Sequence, residues 1–323
     1  MLRLLSGYWF SQTLYVAAAL RIADRLAGGP KTADVLAEEA AVDREALFRL
    51  LRALSSTGIF AQVGPRTFAL TSLSETLRED REGSLRSVAL LGGHPLHWQA
   101  WGRLLRAVKS GESAFEAAHG QGLFDALREN DELGAVFHQV LTRAPELEQA
   151  IADLIAPLGF RRIIDVGGGT GELAARLAGA CAGAEVLLFD REEVLNSAPA
   201  RVGVKLEPGD FLAGVPLGGD AYVLKFTLHD WPDSEAIRIL SSCRNAMLSD
   251  GRVFVIEVVV PDGSEPSIAK THDVNMLVLT GGRERTLAEY EGLFASAGLK
   301  LVQSTSTPSG ASVLEAAEIR GPS

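Results

Sequence analysis

Only two cysteines, Cys181 and Cys243, occur among the 323 residues. Their spacing matches no metal-binding pattern, and a chain so poor in cysteine is not a disulfide-stapled scaffold. They read as small buried residues in a reducing, cytoplasmic setting. Long apolar runs are missing as well, since none reaches the ~20 residues that a membrane-spanning helix needs. Positive charge is in deficit, with 31 basic against 41 acidic residues and a net charge of −10. That balance argues against broad binding to nucleic acid or to anionic membranes. Internal repeats and low-complexity tracts are absent too. Apolar residues make up 47% of the chain, enough at this length for the cores of two domains.

Residues 1–157 read as a first domain that is almost entirely helical. Arg3 followed by Leu4–Leu20 superficially resembles a secretion signal, but Ser6, Gly7, Ser11, Gln12 and Thr13 interrupt it. Its periodicity runs on past Arg21 into Ile22–Leu26, as in a folded amphipathic helix. Helices are expected over Thr32–Ala40 and Asp43–Thr57. A small hairpin then pairs Phe60–Val63 with Thr67–Leu70 across Gly64-Pro-Arg. Three helices and a hairpin follow winged-helix grammar, with Arg44, Arg49 and Arg52 on the would-be recognition helix. The acidic balance, and the lack of a basic stripe interleaved with aromatics, make these arginines a solvated face instead. Further amphipathic segments at Leu96–Lys109 and Gly122–Pro145 carry Trp98, Trp101, Phe115, Phe124 and Phe137. At helical spacing these are core residues first, with some free to face a flat substrate.

From residue 158 to 323 strands and helices alternate, the mark of a parallel sheet covered by helices. Strands are expected over 162–166, 185–190, 203–207, 220–226, 252–259 and 312–318. Helices are expected over 171–180, 233–248 and 286–297, the last opened by the capping box Thr286-Leu-Ala-Glu289. The fold class is therefore α/β.

The most informative stretch is Arg161–Ala174. Ile163, Ile164 and Val166 form a strand that ends in Gly167, Gly169 and Gly171, and a helix begins at once. Glycine permits a tight turn and lets a ligand approach the main chain, while the helix N-terminus offers unpaired N–H groups. A dinucleotide fingerprint fits only from Gly169, two residues late. The spacing at 167, 169 and 171, with Asp165 inside the strand, suits S-adenosylmethionine instead. Some twenty residues on, the strand Val186–Phe189 ends in Asp190, a carboxylate placed to accept ribose hydroxyls.

Chemistry is expected at His229. It follows the strand Asp220–Phe226 on the edge of the sheet where ligands bind, in the run Thr227-Leu-His-Asp-Trp-Pro-Asp233. Glu257 sits amid seven apolar residues in the next strand and is costly to bury without a partner. Either it reaches solvent at the strand end, or it orients the imidazole and stabilises its cation. No metal is expected, because only His272-Asp273 could join His229, Asp230 and Asp233.

Asp165–Gly171, Gly209-Asp-Phe-Leu212, Lys225 with His229–Asp233, Glu257 and Gly281–Thr286 occur in this order. Together they resemble the small-molecule O-methyltransferases related to plant caffeate enzymes and to bacterial natural-product methyltransferases. The resemblance implies a class I methyltransferase fold, Rossmann-like, behind a helical, winged-helix-like domain that dimerises and encloses substrate. A homodimer also suits the apolar helix Tyr8–Leu20. The resemblance further implies S-adenosylmethionine as methyl donor and His229 as general base flanked by Glu257 and Glu284. Gly167, Gly169 and Asp190 match the cofactor loop and ribose acid, Asp210 and Phe211 the adenine-contacting pair behind the cofactor-side Gly209, and Lys225 a further cofactor-side residue. The expected acceptor is a phenolic hydroxyl of a small aromatic natural product. Residues 279–280 depart from the longer polar loop of plant relatives, and bacterial polycyclic phenols look closer. Two alternatives stay open: a relative that binds the cofactor but performs hydroxylation, decarboxylation or pericyclic chemistry, and a winged-helix ligand-sensing regulator.

Overall fold

A computed structural model describes residues 1–142 and 145–319. Arg143 and Ala144, inside the expected helical stretch Gly122–Pro145, and residues 320–323 of the expected second domain lie outside the described residues. Contacts group the chain into two compact units, Met1–Gly102 with Ala118–Arg143, and Arg103–Ala117 with Ala144–Ser323. No helix among the described residues is long and apolar enough to cross a membrane.

The first unit is helical around one small sheet. Its N-terminal helix Gly7–Ala19 does not run on as the periodicity suggests. Arg21 adopts a left-handed φ of 54°, and a separate turn, Ile22–Arg25, follows. The break lets Ile22, Ala23 and Leu26 point into the core with Leu36, Leu51, Phe60 and Phe68. Helix Arg44–Ser55 starts where Asp43 accepts the Ala46 N–H at 2.8 Å, and it buries Leu47, Leu51 and Leu54 on one face. Arg44, Arg49 and Arg52 are exposed on the other face. The hairpin of β2 (Phe60–Gly64) and β3 (Thr67–Leu70) forms as expected, and β1 (Lys31–Thr32) adds a third strand beside β3. Two residues are too few to carry a period. Of the aromatics marked in the later helices, Phe115 is buried, whereas Trp98 and Phe124 remain partly exposed.

The second unit holds a seven-stranded sheet in the order β6-β5-β4-β7-β8-β10-β9. These strands are β4 (Arg162–Val166), β5 (Glu185–Asp190), β6 (Val204–Pro208), β7 (Ala221–Lys225), β8 (Arg252–Glu257), β9 (Leu299–Ser306) and β10 (Ser312–Glu318). Pairing is parallel from β6 to β8, and β10 then runs antiparallel to both β8 and β9. Along β4 the side chains alternate between two cores. Ile164 and Val166 meet helices Asp233–Ala246 and Leu287–Ser296, while Ile163 meets helices Pro145–Ile155 and Glu172–Ala180. Each such fully buried aliphatic side chain contributes roughly 1.5–3 kcal/mol.

Two elements of this unit carry no clear period in the sequence. The edge strand β9 is largely polar, and most of its side chains are exposed. Helix Ile268–Leu279 has apolar residues on most sides and starts at Ser267, whose hydroxyl accepts the Ala269 N–H at 3.2 Å. The chain leaves β4 for β5 and β6 on one side, then returns to place β7 on the other. Brackets of this kind leave a crevice at the carboxyl ends of the strands, where ligands of open α/β sheets bind.

Candidate active site

The glycine loop and the His229 turn follow β4 and β7, the two strands that flank this switch point. Gly167, Gly169 and Gly171 all take left-handed φ angles of 67°, 60° and 78°. Gly168 has no room for a side chain, since a Cβ there would fall 2.5 Å from both Asp165 and Leu188. Asp190, at the end of β5, accepts the Gly169 N–H through Oδ2 at 2.9 Å and the Arg191 N–H through Oδ1 at 2.7 Å. Beside it Gly209 donates to the Asp190 carbonyl at 3.0 Å, and a Cβ at Gly209 would strike Phe189 at 2.4 Å. The Phe211 ring lies 3.3 Å from where a Gly167 Cβ would sit and meets Trp231 edge-on, with centroids 5.8 Å apart. Gly167, Gly169, Asp190, Gly209 and Phe211 are thus gathered around one cradle.

Asp210 and Lys225 are placed differently. Asp210 is exposed and accepts the Leu212 N–H at 2.8 Å. Lys225 is paired with the buried Glu148 of helix Pro145–Ile155. Asp165 lies wholly inside, and its burial pushes its pKa up to about 7, against the pull of Lys225 and the Ala174 N–H. Glu148 was not visible as a site residue, because only the fold brings its helix beneath β7.

His229 sits on a short 3-10 turn, Leu228–Asp230, and its side chain is 12% exposed. Its Nδ1 lies 2.9 Å from Glu284 Oε1 and 3.3 Å from Glu257 Oε2. Its Nε2 lies 3.8 Å from Asp230 Oδ2, beyond hydrogen-bonding distance. Glu257 does not reach solvent. It is fully buried, and its Oε1 accepts the N–H groups of Thr227, Leu228 and His229 at 3.1, 2.8 and 3.3 Å. One carboxylate therefore both anchors the turn and faces the imidazole.

The electrostatics follow from three carboxylates around one ring. Burial disfavours the charged imidazole, but Glu257, Asp230 and the hydrogen bond to Glu284 outweigh it and raise His229 to about 10. Burial raises Glu257 to about 7 despite the attraction of His229. Glu284 moves the other way, to about 2, because hydrogen bonds from His229 and His272 overcome its burial. The three carboxylates thus favour the protonated form of His229. The ligand-type atoms of His229, Glu257 and Glu284 converge within 4.8 Å, close enough to hold a cation.

Several residues that shape this site have no role visible in the sequence. Phe226 holds a left-handed φ of 51° between β7 and the turn, and its ring stacks on His229 at 5.8 Å and 17°. Arg285 is fully buried, with its guanidinium on the carbonyls of Leu228 and Trp231 at 3.0 and 2.8 Å and on Asp233 at 2.8 Å. Gly282 lets its loop lie flat on the turn, since a Cβ there would fall 2.0 Å from the His229 carbonyl oxygen. Arg283 then donates its N–H to that same carbonyl at 2.8 Å. His272 places Nδ1 2.8 Å from Glu284 Oε1.

Two family models match this chain, an O-methyltransferase domain over residues 101–300 and an O-methyltransferase dimerisation domain over residues 2–80. The chain belongs to the O-methyltransferase family. Among its relatives, phenazine O-methyltransferase PhzM of Lysobacter antibioticus is 37% identical, over 99% of this chain and 96% of its own. Phenazine-1-carboxylate N-methyltransferase of Pseudomonas aeruginosa is 33% identical, over 95% of this chain and 93% of its own. A solved O-methyltransferase from neocarzinostatin biosynthesis, NcsB1, holds S-adenosylmethionine and 2-hydroxy-5-methyl naphthoic acid. It superposes with a TM-score of 0.87 at 30% identity, covering 99% of both chains. This methyltransferase therefore uses S-adenosylmethionine, and its class I fold is the one the sequence motifs imply. The left-handed glycines, the side-chain-free Gly168 and the carboxylate of Asp190 fit such a cofactor.

Proposed function

We propose that this enzyme methylates a phenolic hydroxyl of a small aromatic natural product and that His229 takes the hydroxyl proton. The observation that carries the reading is the buried His229 held at Nδ1 by Glu284 and faced by Glu257. An ordinary imidazole titrates near 6.5 and a phenol near 10, so proton transfer between them is uphill. Raised to about 10, His229 has a proton affinity close to that of a phenol, and the transfer becomes nearly level. Glu284 fixes the ring and leaves Nε2 to face the hydroxyl, while Glu257 holds the turn and stabilises the imidazolium. Bound S-adenosylmethionine supplies an already activated methyl group. What remains for the protein is to hold the acceptor oxygen in line and to receive its proton.

Gly167 and Gly169 form the loop under the cofactor, and Asp190 accepts its ribose hydroxyls. Gly209, Asp210 and Phe211 line the adenine side, and Lys225 supports the cofactor edge through its pair with Glu148. Residues 1–157 act as the dimerising, substrate-enclosing domain and residues 158–323 as the catalytic one. The match to a dimerisation domain supports a homodimer. A ring nitrogen acceptor, as the name of the phenazine-1-carboxylate relative suggests for that protein, has no proton to release. A buried base with two oriented carboxylates therefore favours a hydroxyl.

Asp190→Ala weakens binding of S-adenosylhomocysteine at least tenfold in calorimetric titration, through loss of its acceptor oxygens. NAD serves as the control and does not bind. Unchanged affinity in this variant would remove Asp190 from the ribose site.

The raised proton affinity of His229 also sets a pH dependence. The base form is the minor species below about pH 10, so kcat/KM toward an un-ionised phenol rises with pH. The expected slope is about tenfold per unit between pH 7 and 9. A flat profile over that interval with such an acceptor would sink the assignment of His229 as proton acceptor.

A further inference from the structure

One carboxylate oxygen serves two histidines. Glu284 Oε1 lies 2.9 Å from His229 Nδ1 and 2.8 Å from His272 Nδ1, with the two rings 6.2 Å apart. Glu284 itself is buried, whereas the His272 side chain is 41% exposed. Helix Ile268–Leu279 brings His272 to this point, and the same helix places Asp273, whose Oδ1 accepts the Glu284 N–H at 2.9 Å. The reaction as proposed uses His229, Glu257 and Glu284 and leaves His272 without a task.

We propose that His272 is a positioning residue which, by sharing Glu284 Oε1 with His229, holds down the proton affinity of His229 and so sets the pH range of catalysis. This rests on the reading of His229 as the proton acceptor. A carboxylate that gives part of its hydrogen-bonding capacity to a second donor stabilises the first imidazolium less. The charged and titratable groups around Glu284 and the two imidazoles include Asp230, Glu257, Asp273 and Tyr290, with Arg283 acting on Asp273 and Arg285 on Tyr290. Among the described residues, the side-chain partners given to Glu284 Oε1 are His229 and His272. Removing His272 leaves Glu284 to His229 alone, and the imidazolium of His229 becomes harder to deprotonate. A competitor of this kind limits how far the proton affinity of His229 rises. Its partial exposure gives the second imidazole contact with water.

The test uses the full-length enzyme labelled with 15N at its six histidines, with the His229 signal assigned by its loss in His229→Gln. His229 is titrated by NMR in the native enzyme, in His272→Ala and in His272→Asn, whose amide nitrogen occupies the place of Nδ1 and keeps the hydrogen bond. The expected result is an alkaline shift of the His229 titration by about one pH unit in His272→Ala, restored toward native in His272→Asn. The rising limb of kcat/KM moves with it in the same two variants. Unmoved His229 titration in a folded His272→Ala protein overturns the proposal. A shifted titration with an unmoved kinetic limb instead upholds the coupling and condemns His229 as the proton acceptor, so the two failures are distinct.

Discussion

Replacing His229 with alanine lowers kcat by about 10²–10⁴-fold, the usual loss when a positioned proton acceptor is removed. Affinity for S-adenosylhomocysteine stays within a factor of two, because the glycine loop, Asp190 and Phe211 are built by other elements of the sheet. The separation of the two effects is the useful part. Steady-state kinetics with a phenolic acceptor gives kcat, and calorimetry on the same preparation gives the cofactor affinity. Near-native turnover would show that acceptors bind already ionised and need no base. His229→Gln is the companion variant, since its amide can still reach Glu284 but cannot carry the proton. It is expected to fall as far as the alanine variant if proton acceptance is what matters, and to recover if the ring only fills space.

Arg285→Met lowers stability by about 3–5 kcal/mol, and Arg285→Lys recovers little of it. The guanidinium is fully buried and bonds to Leu228 O, Trp231 O and Asp233 Oδ1 at once. Methionine keeps only an apolar stem: the Trp231 carbonyl loses its donor, costing about 1–3 kcal/mol, and the Leu228 carbonyl keeps only the Trp231 N–H, with the repacking of the site on top. Lysine lacks the planar fork that reaches several acceptors together. For a unit of this size the loss corresponds to a fall of very roughly 10 °C in the thermal midpoint. Because both carbonyls belong to the turn that carries His229, kcat falls as well. A thermal midpoint and kcat equal to the native values would show that the turn stands without Arg285.

How much of this was legible beforehand depended on whether a feature repeats locally. The strands β4, β5, β7 and β10 and helix Leu287–Ser296 could be read because their apolar runs and the Thr286 capping box are written in neighbouring residues. Their ends fell within a residue or two of the expected bounds. Strand β9 and helix Ile268–Leu279 were not legible, since an edge strand with polar outer residues and a helix apolar on most sides show no clean period. The helix break at Arg21 was equally hidden, as a left-handed arginine is selected by what Ile22 and Leu26 bury rather than by propensity.

By itself the sequence determined the α/β class, the glycine cradle ahead of a helix, Asp190 at the next strand end and His229 on the same sheet edge. Each follows from residues close together in the chain, whose periods and turn chemistry act locally. Only the tertiary structure decided that Glu257 anchors the His229 turn through three N–H groups, that Glu284 rather than Glu257 makes the hydrogen bond to the ring, and that Arg285 and Gly282 support that turn from a distant loop. It also brought His272 onto Glu284 and Glu148 onto Lys225. These pairings join residues from 12 to 77 positions apart. Their strength comes from burial that no single segment can create, and of them only Glu257, a lone acid in an apolar strand, left a sign in the chain.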